Sequence, residues 1–216
     1  TFNADSRRAN TIWRHVAALE TDCVFHFEVL ADRLDPASME VLALAPPGRI
    51  QLEIGIQSVH RDVLTSVGRI ADPEKTSQKV MDLVAMGNLI LHLDLIAGLP
   101  YEDYESFANS FNEVYDLRPH MLQLGFLKLL PGTPIRENAE EYGYIFRSKA
   151  PYEVISNNSI SAKELAKLKM VELLLDMYYN RGGFERALDY LAFERHPHPF
   201  SFYEEFSSFY YLKGFQ

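Results

Sequence analysis

The sequence predicts an α/β protein built on parallel strands, and three observations carry that prediction. Short apolar segments alternate with helical ones, strand then helix, at a spacing of about 25–40 residues, the rhythm of βαβ units. Helical segments open at Asp-Pro pairs and close at Gly or Pro. Each strand segment is apolar on one face and repeatedly polar on the other. The last point separates an open sheet from a barrel. Strands covered by helices on both sides are apolar on both faces, so the polar faces here are expected to line the hollow of a partial (β/α) barrel.

The elements follow in order. The opening T-F-N-A-D leads into an amphipathic helix whose stripe is Ile12, Val16 and Leu19, with Asn3 or Asp5 as N-cap. The first strand is expected at 23–30, C-V-F-H-F-E-V-L. Asp35 and Pro36 start a helix over 36–45. The second strand is I-Q-L-E-I-G-I-Q-S at 50–58. A helix over 73–86 begins D-P-E-K and stops at Gly87. The third strand, 88–97, is N-L-I-L-H-L-D-L-I-A, and a helix over 102–117 ends before Pro119. The fourth strand, 120–130, closes in the turn L-P-G-T-P. Residues 131–160 read as loops with a short helix at 134–142. Ser161 and Glu164 make a capping box for a helix over 161–180, stopped by Arg181-Gly182-Gly183. A shorter helix over 184–193 follows. The tail from 200 to 216 holds Phe200, Phe202, Tyr203, Phe206, Phe209, Tyr210, Tyr211 and Phe215, and is expected to be a terminal helix docked by its aromatics.

Period two assigns the polar faces. His26 and Glu28 share one face of the first strand; Gln51, Glu53, Gly55 and Gln57 share one of the second. His92 and Asp94 pair up on the third, and Gln123 and Gly125 on the fourth. A lone polar residue in a strand is usually satisfied by a neighbour. Four successive strands with the polar set on one side point to a shared ligand cavity, toward the carboxyl ends where α/β proteins bind.

Composition narrows the function classes. A chain of 216 residues, 47% hydrophobic and 24% charged, has the balance of one globular domain with at most a small appendage. The net charge of -9 argues against a nucleic-acid partner, because phosphate binding needs a basic face. No apolar run approaches the roughly 20 residues that span a bilayer, and the mixed residues 1–20 predict no signal peptide. The single cysteine, Cys23, excludes an internal disulfide and fits a reducing cytoplasm.

The segment L-E-I-G-I-Q-S-V-H-R-D-V-L-T-S-V-G-R at 52–69, followed by H-L-D-L-I-A-G-L-P-Y-E at 92–102, resembles the middle of a radical S-adenosylmethionine (SAM) enzyme. The resemblance is to the branch that includes oxygen-independent coproporphyrinogen oxidase and the cobalamin-binding radical SAM proteins. L-L-P-G-T-P resembles that family's last barrel strand, and F-H-F-E-V resembles the cobalamin-type subgroup. The resemblance covers about residues 1–140. It implies SAM lying across the open top of a partial barrel, with about four of six strands present here. Glu28 matches a carboxylate that contacts the methionyl amine or ribose, and Gln57 and Ser58 match the strand end that meets the ribose. Arg69 matches the arginine that pairs with the methionyl carboxylate, a task suited to a planar fork of donors. Asp94 matches an acid of the ribose-binding set, and Glu53 stands with it on the polar face. Ile96 to Gly98 and the turn around Leu130 match the contacts to adenine, and Glu102 lies near a strand-end acid of the family.

The departure from the family is the cluster. Radical SAM chemistry needs three thiolates in a C-x3-C-x2-C loop to hold a [4Fe–4S] cluster, and Cys23 alone does not supply them. The resemblance therefore implies the C-terminal part of a longer radical SAM oxidoreductase acting on a small molecule, tetrapyrrole-related, with SAM, a [4Fe–4S] cluster whose ligands are missing here, and possible cobalamin in an absent N-terminal domain. Residues 1–145 are expected to be barrel and 146–216 a helical extension. An exposed edge at 23–30 would favour self-association. Two other readings stand beside this one. The chain would be a non-radical barrel lyase or hydrolase using Glu53 and Asp94 as acid and base, or a non-catalytic module whose aromatic tail binds a partner.

Overall fold

The computed structural model describes residues 1–214; Phe215 of the aromatic tail lies outside them. Four parallel strands form one sheet in the order β1-β2-β3-β4. They are β1 (Phe25–Val29), β2 (Ile50–Gln57), β3 (Ile90–Ala97) and β4 (Met121–Phe126). Helices α1 (Ser6–Ala18), α2 (Pro36–Ala43), α3 (Arg61–Ser66), α4 (Pro73–Met86) and α5 (Tyr104–Asp116) precede or connect them. After β4 come α6 (Pro134–Glu137), an antiparallel pair β5 (Ile145–Phe146) and β6 (Val154–Ser156), then α7 (Ala162–Leu174), α8 (Glu185–Asp189) and α9 (Pro199–Leu212).

The chain divides into two compact units. The first holds residues 1–57, 71–94 and 114–122; the second holds 58–70, 95–113 and 123–216. In the first unit, β1 pairs with β2 in the register Phe25↔Ile50 to Val29↔Ile54. Ile50, Leu52, Leu91 and Leu93 are fully buried on the apolar face, together with Trp13 and Leu42 of the helices. Burial on this scale is what holds parallel βα units together, at about 25 cal/mol per Å² of apolar surface. Helix ends are closed by side chains. Asp5 accepts from Arg8 N, Asp35 from Ser38 N, and Gly87 stops α4 in the left-handed region at φ 70°. Asn88 Nδ2 donates to the carbonyls of Leu42 and Ala45, both at 2.9 Å, and so satisfies the end of α2.

The opening T-F-N-A-D belongs to this packing. Asn3 exchanges two hydrogen bonds with the backbone of Leu30, at 2.8 and 3.0 Å, as a strand neighbour would at the end of β1. The Phe2 ring lies 4.5 Å from Phe27 and 5.6 Å from Trp13. Of the expected stripe Ile12–Val16–Leu19, Val16 is buried and Ile12 and Leu19 are half-buried. The face that α1 buries is Ala9, Asn10, Trp13 and Val16, with the Trp13 indole edge to face against Phe27.

In the second unit, α7 opens on the capping box of Ser161 and Glu164 and packs against α9. Its final turn departs from the expected regular helix, passing into π-helical geometry over Leu175–Asn180. The aromatic tail is α9. Phe200 and Tyr203 set their rings 5.5 and 5.6 Å from Phe111 of α5, and Asn112 Oδ1 accepts from Phe200 N at 2.8 Å. The stretch 131–160, read as loops, contains the β5–β6 pair, and the helix expected over 134–142 shrinks to α6.

Candidate functional site

In the first unit the polar residues of the strands form a ladder on one sheet face. Register pairs His26 with Gln51 and Glu28 with Glu53, and neighbours in register point the same way. His26 Nε2 and Glu53 Oε2 are 2.7 Å apart. Gln51 Nε2 lies 2.9–3.0 Å from the ring nitrogens of His92, which carries the ladder onto β3. The His26 and His92 rings meet edge to face at 5.7 Å. Asp94, two residues on, takes the same side as His92 and is half-buried. Glu28 is exposed, while Glu53 and Gln57 are half-buried. Burial and, behind it, the neighbouring His26 hold the His92 imidazole below its ordinary value, so it stays neutral at neutral pH.

Gln57 ends β2 at φ 70°, a left-handed conformation that a side chain adopts only when its surroundings impose it. The strand thus terminates sharply at the point assigned to a ligand-binding strand end.

The second unit contains a different polar cluster, deeply buried. Ser58 is fully buried and donates from its hydroxyl to Glu102 Oε1 at 2.6 Å; Ser110 donates to the same oxygen at 3.1 Å. Val59 N donates to Ser110 Oγ at 3.3 Å, and His60 N to Ser58 Oγ at 3.1 Å. His60 Nε2 lies 3.0 Å from the Ser106 carbonyl. Glu102 is 1% exposed, and burial pushes its carboxyl up to about 7, against the pull of the two serine hydroxyls. This network ties the segment after β2 to the start of α5. Arg69, half-buried, follows the Gly68 turn that closes α3, its N–H donating to Leu64 O at 2.9 Å. Gly98 is buried with φ 91° and Ile96 is half-buried. Leu130 is 49% exposed in a turn that Arg136 holds by donating to Leu129 O at 2.8 Å.

The structure therefore brings His26, Glu28, Glu53 and Asp94 onto one face, and places Ser58 with Glu102. One contributor escaped the sequence reading: Ser110 sits eight residues after Glu102 on α5, outside any strand whose polar alternation would flag it.

Comparison with known proteins now has geometry to rest on. The radical SAM methyltransferase TsrM of Kitasatospora setae, solved with tryptophan and a SAM analogue, superposes with a TM-score of 0.57. It is 16% identical, over 70% of this chain and 32% of its own. The fold is that of the radical SAM enzymes. Sequence agrees with fold. The anaerobic coproporphyrinogen III oxidase 1 of Cereibacter sphaeroides is 27% identical over 169 residues, 78% of this chain and 34% of the relative. The oxygen-independent coproporphyrinogen-III oxidase-like protein HemZ of Bacillus subtilis is 30% identical over 115 residues, 53% of this chain and 23% of its own. The chain spans about a third of the length of the first of these curated relatives. Residues 140–216 match a family described as a protein of unknown function (DUF4080).

Of the cofactors that a radical SAM fold implies, the residues present fit one. The ladder offers carboxylates and amides that suit ribose hydroxyls and an ammonium group. They do not fit an iron–sulfur cluster, since Cys23 is the one cysteine of the sequence and is exposed. Among the described residues, no group of three or more His, Cys, Asp or Glu is placed to hold a metal ion. No helix among them is long and apolar enough to cross a membrane.

Proposed function

We propose that this chain is the SAM-holding portion of a radical SAM enzyme that acts on a small-molecule substrate. The observation that supports the reading is the ladder of polar side chains on one face of β1–β3, where the family resemblance assigns ligand contacts. Glu28, Glu53, Gln57 and Asp94 of the first unit are proposed to accept from the ribose hydroxyls and the methionyl amine. Arg69 is proposed to pair with the methionyl carboxylate. Ile96, Gly98 and Leu130 give adenine apolar and backbone surface, and Ser58 fixes the segment after β2 through Glu102. Bound SAM supplies a sulfonium that carries an adenosyl and a methyl group. The thiolates of the [4Fe–4S] cluster, and the residues for any cobalamin, are proposed to come from outside this sequence. The names of the curated relatives support oxidoreductase chemistry on a tetrapyrrole-like substrate, and the lone thiol suits a reducing compartment. Coverage of a third of such a relative supports reading the chain as one part of a larger enzyme.

Titration calorimetry of the chain with SAM tests this. Weak but saturable heat is expected from the wild type, and binding at least tenfold weaker from an Asp94→Ala/Arg69→Ala double variant that keeps its circular dichroism. Equal heats from the two proteins would refute the assignment.

A further inference from the structure

The chain after β4 builds a small antiparallel sheet within the second unit. Residues 127–129 run along one side of β6. Val154 N donates to Leu127 O and Leu129 N to Tyr152 O, both at 2.9 Å, and Lys128 bridges to Glu153. On the other side β5 pairs with β6, and Arg147 N donates to Glu153 O at 2.9 Å. One face of this sheet is closed. A Cβ on Gly98 would stand 3.6 Å from Val154 Cγ1 and 3.8 Å from Leu127 Cβ. The Gly98 carbonyl accepts from the Tyr144 hydroxyl at 2.9 Å and from Asn157 Nδ2 at 3.1 Å.

The other face is open. Side chains directly opposite across an antiparallel pair share a face, so Lys128, Glu153 and Arg147 stand in a row. At the ordinary strand spacing Lys128 and Arg147 are about 10 Å apart. Glu153 is already paired with Lys169 of α7, whose ammonium also lies 5.0 Å from the Phe126 ring centroid. Lys149 closes the hairpin turn, its carbonyl accepting from Tyr152 N at 3.0 Å. Lys128, Arg147 and Lys149 are exposed, and among the described residues none of their side chains has a hydrogen bond or an ion pair. Ile155 of β6, on the side away from Val154, is 40% exposed, and Ile145 of β5 is 60% exposed. Three unpaired cations beside exposed isoleucines stand out in a chain of net charge -9.

We propose that the open face of this sheet docks an acidic segment of a partner protein, whose carboxylates pair with Lys128, Arg147 and Lys149 and whose apolar side chains cover Ile155 and Ile145. The inference goes beyond the SAM reading and does not rest on it. Charge complementarity selects the occupant. The three cations give up no internal ion pair on docking, and the planar fork of Arg147 matches a carboxylate. Extent separates a protein segment from a membrane or a nucleic acid. Exposed charges act over a Debye length of about 8 Å at physiological salt, so a short acidic segment meets the cations alone. An anionic bilayer or a duplex extends far beyond that distance and meets the acidic remainder of the chain. A patch of this size suits a transient, salt-sensitive encounter.

Fluorescence anisotropy of a fluorescein-labelled peptide of repeated Glu-Leu-Gly, titrated with the whole chain, tests this. Saturable binding is expected at about 50 mM salt, weakened at least tenfold at about 500 mM. Lys128→Glu/Arg147→Glu/Lys149→Glu should weaken it at least tenfold. Arg7→Glu/Arg14→Glu/Lys75→Glu makes the same change of net charge at exposed positions of the first unit and should leave binding within about twofold. Ile155→Ser should weaken binding about threefold, and a peptide of repeated Glu-Ser-Gly should bind the wild type less well than the leucine peptide. Equal losses from the two triple variants, equal binding of the two peptides, or no binding by the wild type overturns the inference. Tighter binding of phosphatidylglycerol vesicles or of a DNA duplex than of the peptide also overturns it, in favour of a membrane or nucleic-acid surface. Arg147→Glu alone serves if the triple variant loses its circular dichroism; it should weaken binding at least threefold, and an unchanged affinity overturns the inference.

Discussion

The ladder of the first unit and the Glu102 cluster of the second are made of the same chemistry, carboxylate, imidazole and small polar groups, and they behave oppositely. On the ladder, His26 and Glu53 are 44% and 32% exposed at the side chain, open to competition from solvent. Around Glu102 water is excluded, and two hydroxyls converge on one oxygen. The difference teaches which groups are free to change partners. A half-exposed carboxylate can release its neighbour for a ligand at small cost, whereas a buried one cannot leave its hydrogen bonds without stranding them.

The largest effect is expected from Glu102→Ala, which strands the Ser58 and Ser110 hydroxyls and opens a cavity. Urea denaturation should show a loss of about 3 kcal/mol. A loss under about 1 kcal/mol would place Glu102 with the ladder instead.

The pH dependence sharpens the contrast. The folded state holds the Glu102 carboxyl at about 7, above its ordinary value of 4.5, so folding favours the protonated form. Its stabilising share is complete below pH 4.5 and is lost as pH rises toward 7, by about 3 kcal/mol in all. Glu102→Gln imitates the protonated acid. It should match the wild type near pH 5 and exceed it in stability at pH 8. His92 has the opposite sign. Its folded value is depressed by burial, so the stability it contributes is present above 6.5 and is lost as pH falls below that. A proton NMR titration should find His92 changing charge below 6.5; a midpoint above 6.5 contradicts the burial argument.

The smallest effect belongs to the exposed pair. His26→Ala should cost less than about 1 kcal/mol in the same urea experiment, because a polar pair open to water gains little over its separate hydration. A larger loss would mean that the ladder is structural, and its role as a ligand face would weaken.

Much of the fold is legible in the residues. The four strands fall within a few residues of their expected limits, and α4 runs from Pro73 to Met86 with its Gly87 stop as the sequence reads. Proline at a first turn and glycine past a last one act locally, so local sequence suffices. The face of α1 is less legible. Ile12 and Trp13 are adjacent, and which of them points inward depends on whether an indole finds a space of its own size, which Phe2 and Phe27 provide. The candidate site divides in the same manner. Alternation along β1–β3 exposes His26, Glu28, Glu53 and Asp94 to reading, because period two is a property of any strand. Ser110, Tyr144 and Asn157 have no such period, and their partners lie 8, 46 and 59 residues away along the chain.

The sequence by itself determined the strands, their polar faces, most helix limits and the absence of cluster-forming thiols, since each follows from neighbours within a turn or two. Tertiary structure alone decided that Ser58 spends its hydroxyl on a buried Glu102 and that Asn157 closes the Gly98 carbonyl. Both depend on distant segments meeting within about 3 Å, and hydrogen bonding at that range has no signature along the chain.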